Sequence, residues 1–235
     1  MARGLARSRA QAQALISAGQ VQVDGAVVRR AATLVPAKAV VEAHTDRYVS
    51  RGAHKLAGAL NDLGLAVPTR VLDAGSSTGG FTQVLLEHGA RQVIAVDVGT
   101  GQLAEPLRSD PRVRLFEQTN LRDLTLAHLD EQPVDLVVAD VSFISLTLLL
   151  APLTAVTAPG GALLLLVKPQ FEVGRARLGA GGVVREDRLR HAAVAAVASA
   201  AEELGWTERA TVPSRVVGES GNQEYFLLLR RCDAR

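Results

Sequence analysis

The stretch Val71-Leu-Asp-Ala-Gly-Ser-Ser-Thr-Gly-Gly-Phe-Thr-Gln-Val-Leu-Leu86 reads as strand, glycine turn and helix. A short apolar run after Arg70 ends in the carboxylate of Asp73. Gly75, Gly79 and Gly80 then permit a tight turn and a close approach to a ligand, and apolar residues resume at helical spacing from Phe81. In doubly wound α/β sheets the space beyond the carboxyl end of the first strand is where a nucleotide-like cofactor lies. The spacing D-x-G-x-x-x-G-G differs from the dinucleotide fingerprint G-x-G-x-x-G, so a cofactor with a pyrophosphate is not the first choice.

A second strand, Gln92 to Asp97, again ends in an acid, 24 positions after Asp73. An acid about 20 residues beyond the glycine loop is what the two hydroxyls of a ribose need as acceptor. The loop, with Ser77 inside it, and the two acids fit a nucleoside cofactor without phosphates, and S-adenosylmethionine is the common one. The plainer reading, in which the glycines only make a tight turn, does not account for Asp97. A short strand at Val113–Phe116 leads to Asn120, placed where a side chain reaches an adenine edge.

The 235 residues give room for one ordinary domain and a small one, and 48% hydrophobic residues are enough for a packed core. Charge is unevenly spread. Residues 1–55 carry nine Lys/Arg against three acids, whereas the rest carries 17 against 21. A basic front module facing a polyanion beside a near-neutral body is the functional reading, and a solvated basic surface is the plain one. The single cysteine, Cys232, excludes a disulfide framework and a cysteine metal site. His44, His54, His88, His128 and His191 show no metal-ligand spacing, so no metal is expected. The start lacks the apolar core of a signal peptide, and the longest apolar runs, Leu146 to Val156 and Ala162 to Val167, fall short of the ~20 residues that span a bilayer. A cytoplasmic protein with no membrane insertion is expected.

At the front, Ser8 and Gln11 form a capping-box pattern before a helix ended by Gly19. Val21–Val23 and Ala26–Val28 flank Asp24-Gly25, a strong hairpin signal. Arg7 and Arg9 on one element, with Arg29 and Arg30 on another, make a platform for phosphates, and Arg51 follows the linker. ARSRAQAQALISAGQVQVDGAVV and the later LVPAKAVVEA resemble the ribosomal-protein-S-four-like RNA-binding domain. That family has a further helical turn ahead of RSRAQAQ, and only Met1 to Ala6 precede it here, so either the true start lies upstream or the domain is trimmed. The expected organisation is 1–43 for this domain, 44–50 for a linker and 51–235 for the catalytic body.

In the body, Arg51–Lys55 leads a helix stopped near Gly64, and Val134–Asp140 is a strand ending in an acid. Leu146–Val156 reads as the next helix, and Ala162–Lys168 as a strand buried on both faces. Gly174 to Gly182 is expected to be a mobile loop over the site, and His191–Leu204 a helix. Two last strands, around Thr211–Val217 and Glu224–Leu229, read as a hairpin through Gly218-Glu-Ser-Gly221. The implied fold is α/β, a Rossmann-like, mainly parallel sheet with an antiparallel edge hairpin.

Lys55, Asp140, Lys168 and Glu224 stand out as polar residues at ends of buried elements on the cofactor side, and the plain reading of the two lysines is a structural ion pair with Asp140 or Glu224. SRGAHKL (50–56), LDAGSSTGGFT (72–82), AVDVG (95–99), ADVSFIS (139–145), LLVKPQFEVG (165–174) and GNQEYFL (221–227) closely resemble the TlyA family of hemolysin-like ribosomal RNA 2′-O-methyltransferases, and more distantly the FtsJ/RrmJ type. The resemblance implies a Lys-Asp-Lys-Glu tetrad on those four residues, S-adenosylmethionine as methyl donor, and a ribose 2′-hydroxyl of ribosomal RNA, in a cytidine, as acceptor. It leaves open which ribosomal subunit is the partner. A ribose hydroxyl is a weak nucleophile, and a site must orient it and take its proton as the bond forms. Burial and Lys55 favour the neutral amine that a base at Lys168 needs, while Asp140 and Glu224 favour an ammonium that stabilises the forming alkoxide, so both roles stand. Base amino-group methylation lacks its Pro-Pro-aromatic motif after Asp140, and pyrimidine carbon methylation lacks a placed thiolate. A membrane-active protein and a non-catalytic RNA-binding assembly factor are the alternatives.

Overall fold

In the computed structural model, which describes residues 3–6, 8–43, 47–174 and 178–231, Asp24 and Gly25 both take positive φ, 50° and 80°. They form the two-residue turn that suits the twist of a hairpin. It joins β1 (Val21–Val23) to β2 (Ala26–Val28). With β3 (Val41–Ala43) these make a three-stranded antiparallel sheet of order β2-β1-β3, beside helix α1 (Arg9–Ser17). This belongs to one unit, Met1–Arg47, and the second unit is Tyr48–Arg235. Arg7, His44 and Cys232 lie outside the described residues.

The second unit opens with α2 (Arg51–Leu63), closed by Gly64 at φ 56°. Then follow β4 (Arg70–Ala74), α3 (Gly80–Glu87), β5 (Gln92–Val96), α4 (Glu105–Arg108), β6 (Val113–Phe116) and β7 (Val134–Ala139). The last elements are α5 (Leu150–Ala155), β8 (Thr157–Val167), α6 (Pro169–Glu172), α7 (Asp187–Glu202), β9 (Trp206–Pro213) and β10 (Tyr225–Arg231). The sheet has order β6-β5-β4-β7-β8-β10-β9, parallel except for β10, which runs antiparallel to both neighbours.

Strand alternation divides the core into two layers. Leu72, Ile94, Val137 and Leu163 face one cluster, while Val71, Val93, Leu136 and Leu164 face the other. Period-two alternation puts neighbours on opposite faces, and both faces are apolar because helices cover both. The chain leaves β4 toward β5 and β6, then returns to the other side of β4 as β7. That reversal opens a crevice between the carboxyl ends of β4 and β7.

Several expected boundaries shift: β8 begins at Thr157 and α7 at Asp187, each ahead of its expected start. The helix expected at Leu146–Val156 is a 3₁₀ turn, Leu146–Leu148, followed by α5, with Pro152 in its first turn where a missing N–H costs nothing. The strand expected at Thr211–Val217 is β9 at Trp206–Pro213, so residues 214–224 form a longer connection than a tight hairpin. Hydrogen bonds to Asn222 hold the chain at the end of the Gly174–Gly182 loop. Asn222, 1% exposed, accepts from Val184 N at 2.8 Å and donates to Gly182 O at 3.0 Å.

Candidate active site

The crevice is a cleft of about 860 Å³, bordered by the glycine loop, the start of α2, the ends of β7 and β8, and the segment before β10. Lys55, Asp140, Lys168 and Glu224, read separately along the sequence, all line it. Lys55 rises from the second turn of α2 and its Nζ donates to Glu224 Oε2 at 2.7 Å. Lys168 Nζ lies 2.7 Å from Asp140 Oδ1 and donates to Ser142 Oγ at 2.8 Å. The lysines are 9% and 8% exposed and Glu224 is 2% exposed, so charges that would be unaffordable singly are held in pairs. A Cβ on Gly52 would lie 3.7 Å from Asp140 Oδ2, which shows how closely the first turn of α2 approaches β7.

The glycines of the loop are required by the protein itself. Gly75 has φ 87°, and a Cβ there would meet the Asp140 carbonyl oxygen at 2.5 Å. Gly79 has φ 96° and packs against Leu103 and Leu107, while Gly80 packs against Ser50 and the Ala53 backbone N–H. The smallest residue therefore lets β7, α4 and α2 close on the turn.

Asp97 is half-buried at the end of β5. Its Oδ2 accepts from Ser77 N at 2.8 Å and its Oδ1 from Gly99 N at 2.7 Å. Each oxygen keeps a second acceptor direction, which suits two adjacent hydroxyls. Val98, next in the chain, is 74% exposed and offers an apolar surface beside that carboxylate. The turn from Gly75 to Gly80 contains no Lys or Arg to meet a phosphate. These residues fit S-adenosylmethionine, whose nucleoside Asp97 and Val98 would hold, with the sulfonium end toward the tetrad.

Of the other expected cofactor residues, Phe81 lines the cleft and Asp73 and Asn120 do not. Asp73 is fully buried beneath the loop and accepts from Thr82 Oγ1 at 2.6 Å, tying β4 to α3. Burial pushes its carboxyl up from 3.8 to about 7, opposed by the Thr82 hydrogen bond and assisted by the charge of Asp140. Phe81 is buried and stacks on Phe226 at 6.1 Å, so its main partner is the core. Asn120 is exposed and its side chain accepts from Arg122 N at 3.0 Å, capping a short 3₁₀ turn.

Arg9, Arg29 and Arg30 are exposed in the first unit, with the Arg29 guanidinium against Gly19. Arg51 borders the cleft and donates to Val217 O at 3.0 Å. Sequence reasoning missed Ser142 and Phe143. Phe143 is 91% exposed at φ 65°, 5.3 Å from the Phe171 ring. Both lie within ADVSFIS, but a lone serine and a lone aromatic after a strand carry no periodic signal.

Among the described residues no helix is long and apolar enough to cross a membrane, and no group of three His, Cys, Asp or Glu side chains is placed to hold a metal. Residues 48–231 match the FtsJ-like methyltransferase family and residues 1–41 match the S4 domain. The chain is 52% identical over 232 residues to the 16S/23S rRNA (cytidine-2′-O)-methyltransferase TlyA of Mycobacterium tuberculosis, spanning 97% of this chain and 86% of that protein. It is 40% identical over 181 residues to the 23S rRNA (cytidine-2′-O)-methyltransferase TlyA of Campylobacter jejuni, spanning 76% and 69% respectively. A solved structure described as a hemolysin from Streptococcus thermophilus superposes with a TM-score of 0.80 at 37% identity, covering 99% of this chain and 86% of that one. This chain belongs to the TlyA group of FtsJ-like, S-adenosylmethionine-dependent methyltransferases.

Proposed function

We propose that the enzyme methylates the 2′-hydroxyl of a cytidine ribose in ribosomal RNA. The observation that carries this reading is the pair of buried ion pairs, Lys55–Glu224 and Lys168–Asp140, facing one cleft beside the cofactor loop. A sugar hydroxyl needs a partner for its proton and a charge for its forming oxyanion, and this cluster supplies both. The relatives named above as acting on cytidine in 16S and 23S rRNA support the acceptor.

Bound S-adenosylmethionine supplies an electrophilic methyl, and the residues of this chain do the rest. Asp97 and the Ser77 and Gly99 amides fix the nucleoside end, and Lys55, held by Glu224, forms one wall of the acceptor site. Lys168 meets the acceptor hydroxyl, either taking its proton as an amine or steadying the alkoxide as an ammonium, with Asp140 as its counter-charge. Arg9, Arg29, Arg30 and Arg51 hold the RNA through its phosphates, and the low aromatic content, 3%, favours recognition of a folded RNA over a stacked single strand.

The test is transfer of labelled methyl from S-adenosylmethionine to isolated small and large ribosomal subunits, followed by digestion to nucleosides. Label in 2′-O-methylcytidine is the expected result. Label in a base-methylated nucleoside, or on neither subunit by protein that binds the cofactor, contradicts the reading.

A further inference from the structure

Lys168 makes two contacts of different kind. Its approach to Asp140 Oδ1 at 2.7 Å is an ion pair off hydrogen-bond alignment, because that oxygen is buried and accepts no aligned hydrogen bond from the described residues. The contact with Ser142 Oγ at 2.8 Å is an aligned hydrogen bond. An amine or ammonium is directional through its N–H bonds, so the aligned acceptor sets how the head group is turned.

Local structure explains why a serine stands there. No turn or bend interrupts the chain from Ala139 to Ser142, and burial alternates: Asp140 partly buried, Val141 buried, Ser142 exposed. Residues two apart in such a segment share a side, which puts Asp140 and Ser142 together on the cleft. Phe143 then takes φ 65°, an uncommon conformation for a bulky residue, and turns the chain away. The far end of this loop is clamped to the segment that carries Lys168. Ser145 Oγ donates to Glu172, and Leu146 N donates to Glu172 Oε1 at 2.9 Å. Glu172 ends α6, whose N-cap is Lys168. Burial pushes the Glu172 carboxyl above its ordinary value, while the Ser145 and Leu146 bonds oppose that rise. The other loop hydroxyl, Ser145, is thus committed, and Ser142 is left for Lys168.

We propose that Ser142 is a positioning residue for methyl transfer. By accepting one N–H of Lys168, with the Asp140 carboxylate beside it as counter-charge, it turns Nζ so that another of its directions points at the acceptor hydroxyl. This rests on the reading above that Lys168 serves that hydroxyl.

The test compares Ser142→Ala and Ser142→Thr with the unaltered full chain. Ser142→Ala is expected to lower kcat about tenfold to a hundredfold, with the KM for ribosomal subunits and the affinity for S-adenosylmethionine little changed. Ser142→Thr restores most of kcat. An independent readout is the rate of Lys168 acetylation by acetic anhydride in the folded protein at a single pH, followed by mass spectrometry. That rate is expected to change in Ser142→Ala and to return in Ser142→Thr. If the unaltered enzyme methylates no ribosomal RNA yet the acetylation rate moves, the acceptor assignment fails and the Ser142–Lys168 coupling stands. Ser142→Ala with an unmoved kcat and acetylation rate overturns the proposal. So does a loss of activity accompanied by lost cofactor binding and stability, which would make Ser142 merely structural.

Discussion

Lys55 Nζ and Glu224 Oε2 lie 2.7 Å apart although 169 positions separate them in the chain. The pair bridges the first helix of the catalytic unit and the residue just before its last strand, and both side chains are almost wholly buried, at 11% and 3% exposure. Breaking a buried pair from one side leaves an uncompensated charge, which costs about 3–5 kcal/mol. Lys55→Ala is therefore expected to lose both stability and activity, whereas Lys55→Ala combined with Glu224→Gln recovers stability and not activity. Urea unfolding and methyl transfer on the same preparations check this. A single variant as stable as the parent contradicts the burial of the pair.

Gly75 offers a steric test of the crevice. Alanine there would have to hold φ near 87° and would place its methyl 2.5 Å from the Asp140 carbonyl oxygen. The strain costs about 1–3 kcal/mol, and relief by moving β7 displaces Asp140. Gly75→Ala is expected to lower the melting temperature and depress methyl transfer more than cofactor affinity. Unchanged transfer would mean the loop does not set the position of Asp140.

Asp73 makes a prediction about pH. Unfolded, its carboxyl titrates near 3.8; folded, burial raises it to about 7. Between those values the folded chain holds a proton that the unfolded chain has lost, so stability falls as pH rises through the window and levels off above it. The effect is on the order of a few kcal/mol. Asp73→Asn is expected to remove this decline, giving a larger stability gain over the parent at pH 8 than at pH 4, as read by urea unfolding. A difference independent of pH contradicts the buried placement.

The basic front unit is tested by salt. Arg9 and Arg30 are exposed there. If they neutralise phosphates, changing both to alanine weakens RNA binding and reduces the slope of log K against log salt by about one to two. An unchanged affinity and slope would remove these arginines from the RNA contact.

Much of this was legible along the chain, for physical reasons that differ by element. β8 announced itself because Ala162–Val167 is apolar without interruption, as a strand covered on both faces must be. Asp24-Gly25 fixed its hairpin because few other residue pairs accept two positive φ angles. The four polar residues at the cleft were legible through motif resemblance, and so was ion pairing of the two lysines with Asp140 or Glu224 as the plain reading; which acid meets which lysine was not, since that depends on sheet order. β9 was misplaced because an edge strand with Thr207, Glu208 and Arg209 in it has little apolar alternation to read. The loop glycines were read as space for a ligand, whereas the neighbours that require them, Ser50, Asp140 and Leu107, come from distant segments. Ser142 had no signal at all, because its importance lies in a hydrogen bond to a residue 26 positions away.

The most direct measurement is single-turnover methyl transfer to ribosomal subunits by Lys168→Ala, with cofactor affinity measured on the same protein by calorimetry. Lys168 reaches Asp140 and Ser142 and none of the residues assigned to the nucleoside. The account predicts cofactor affinity near that of the unaltered enzyme and transfer slower by about 10²- to 10⁴-fold. Transfer at the unaltered rate by a Lys168→Ala enzyme would contradict it.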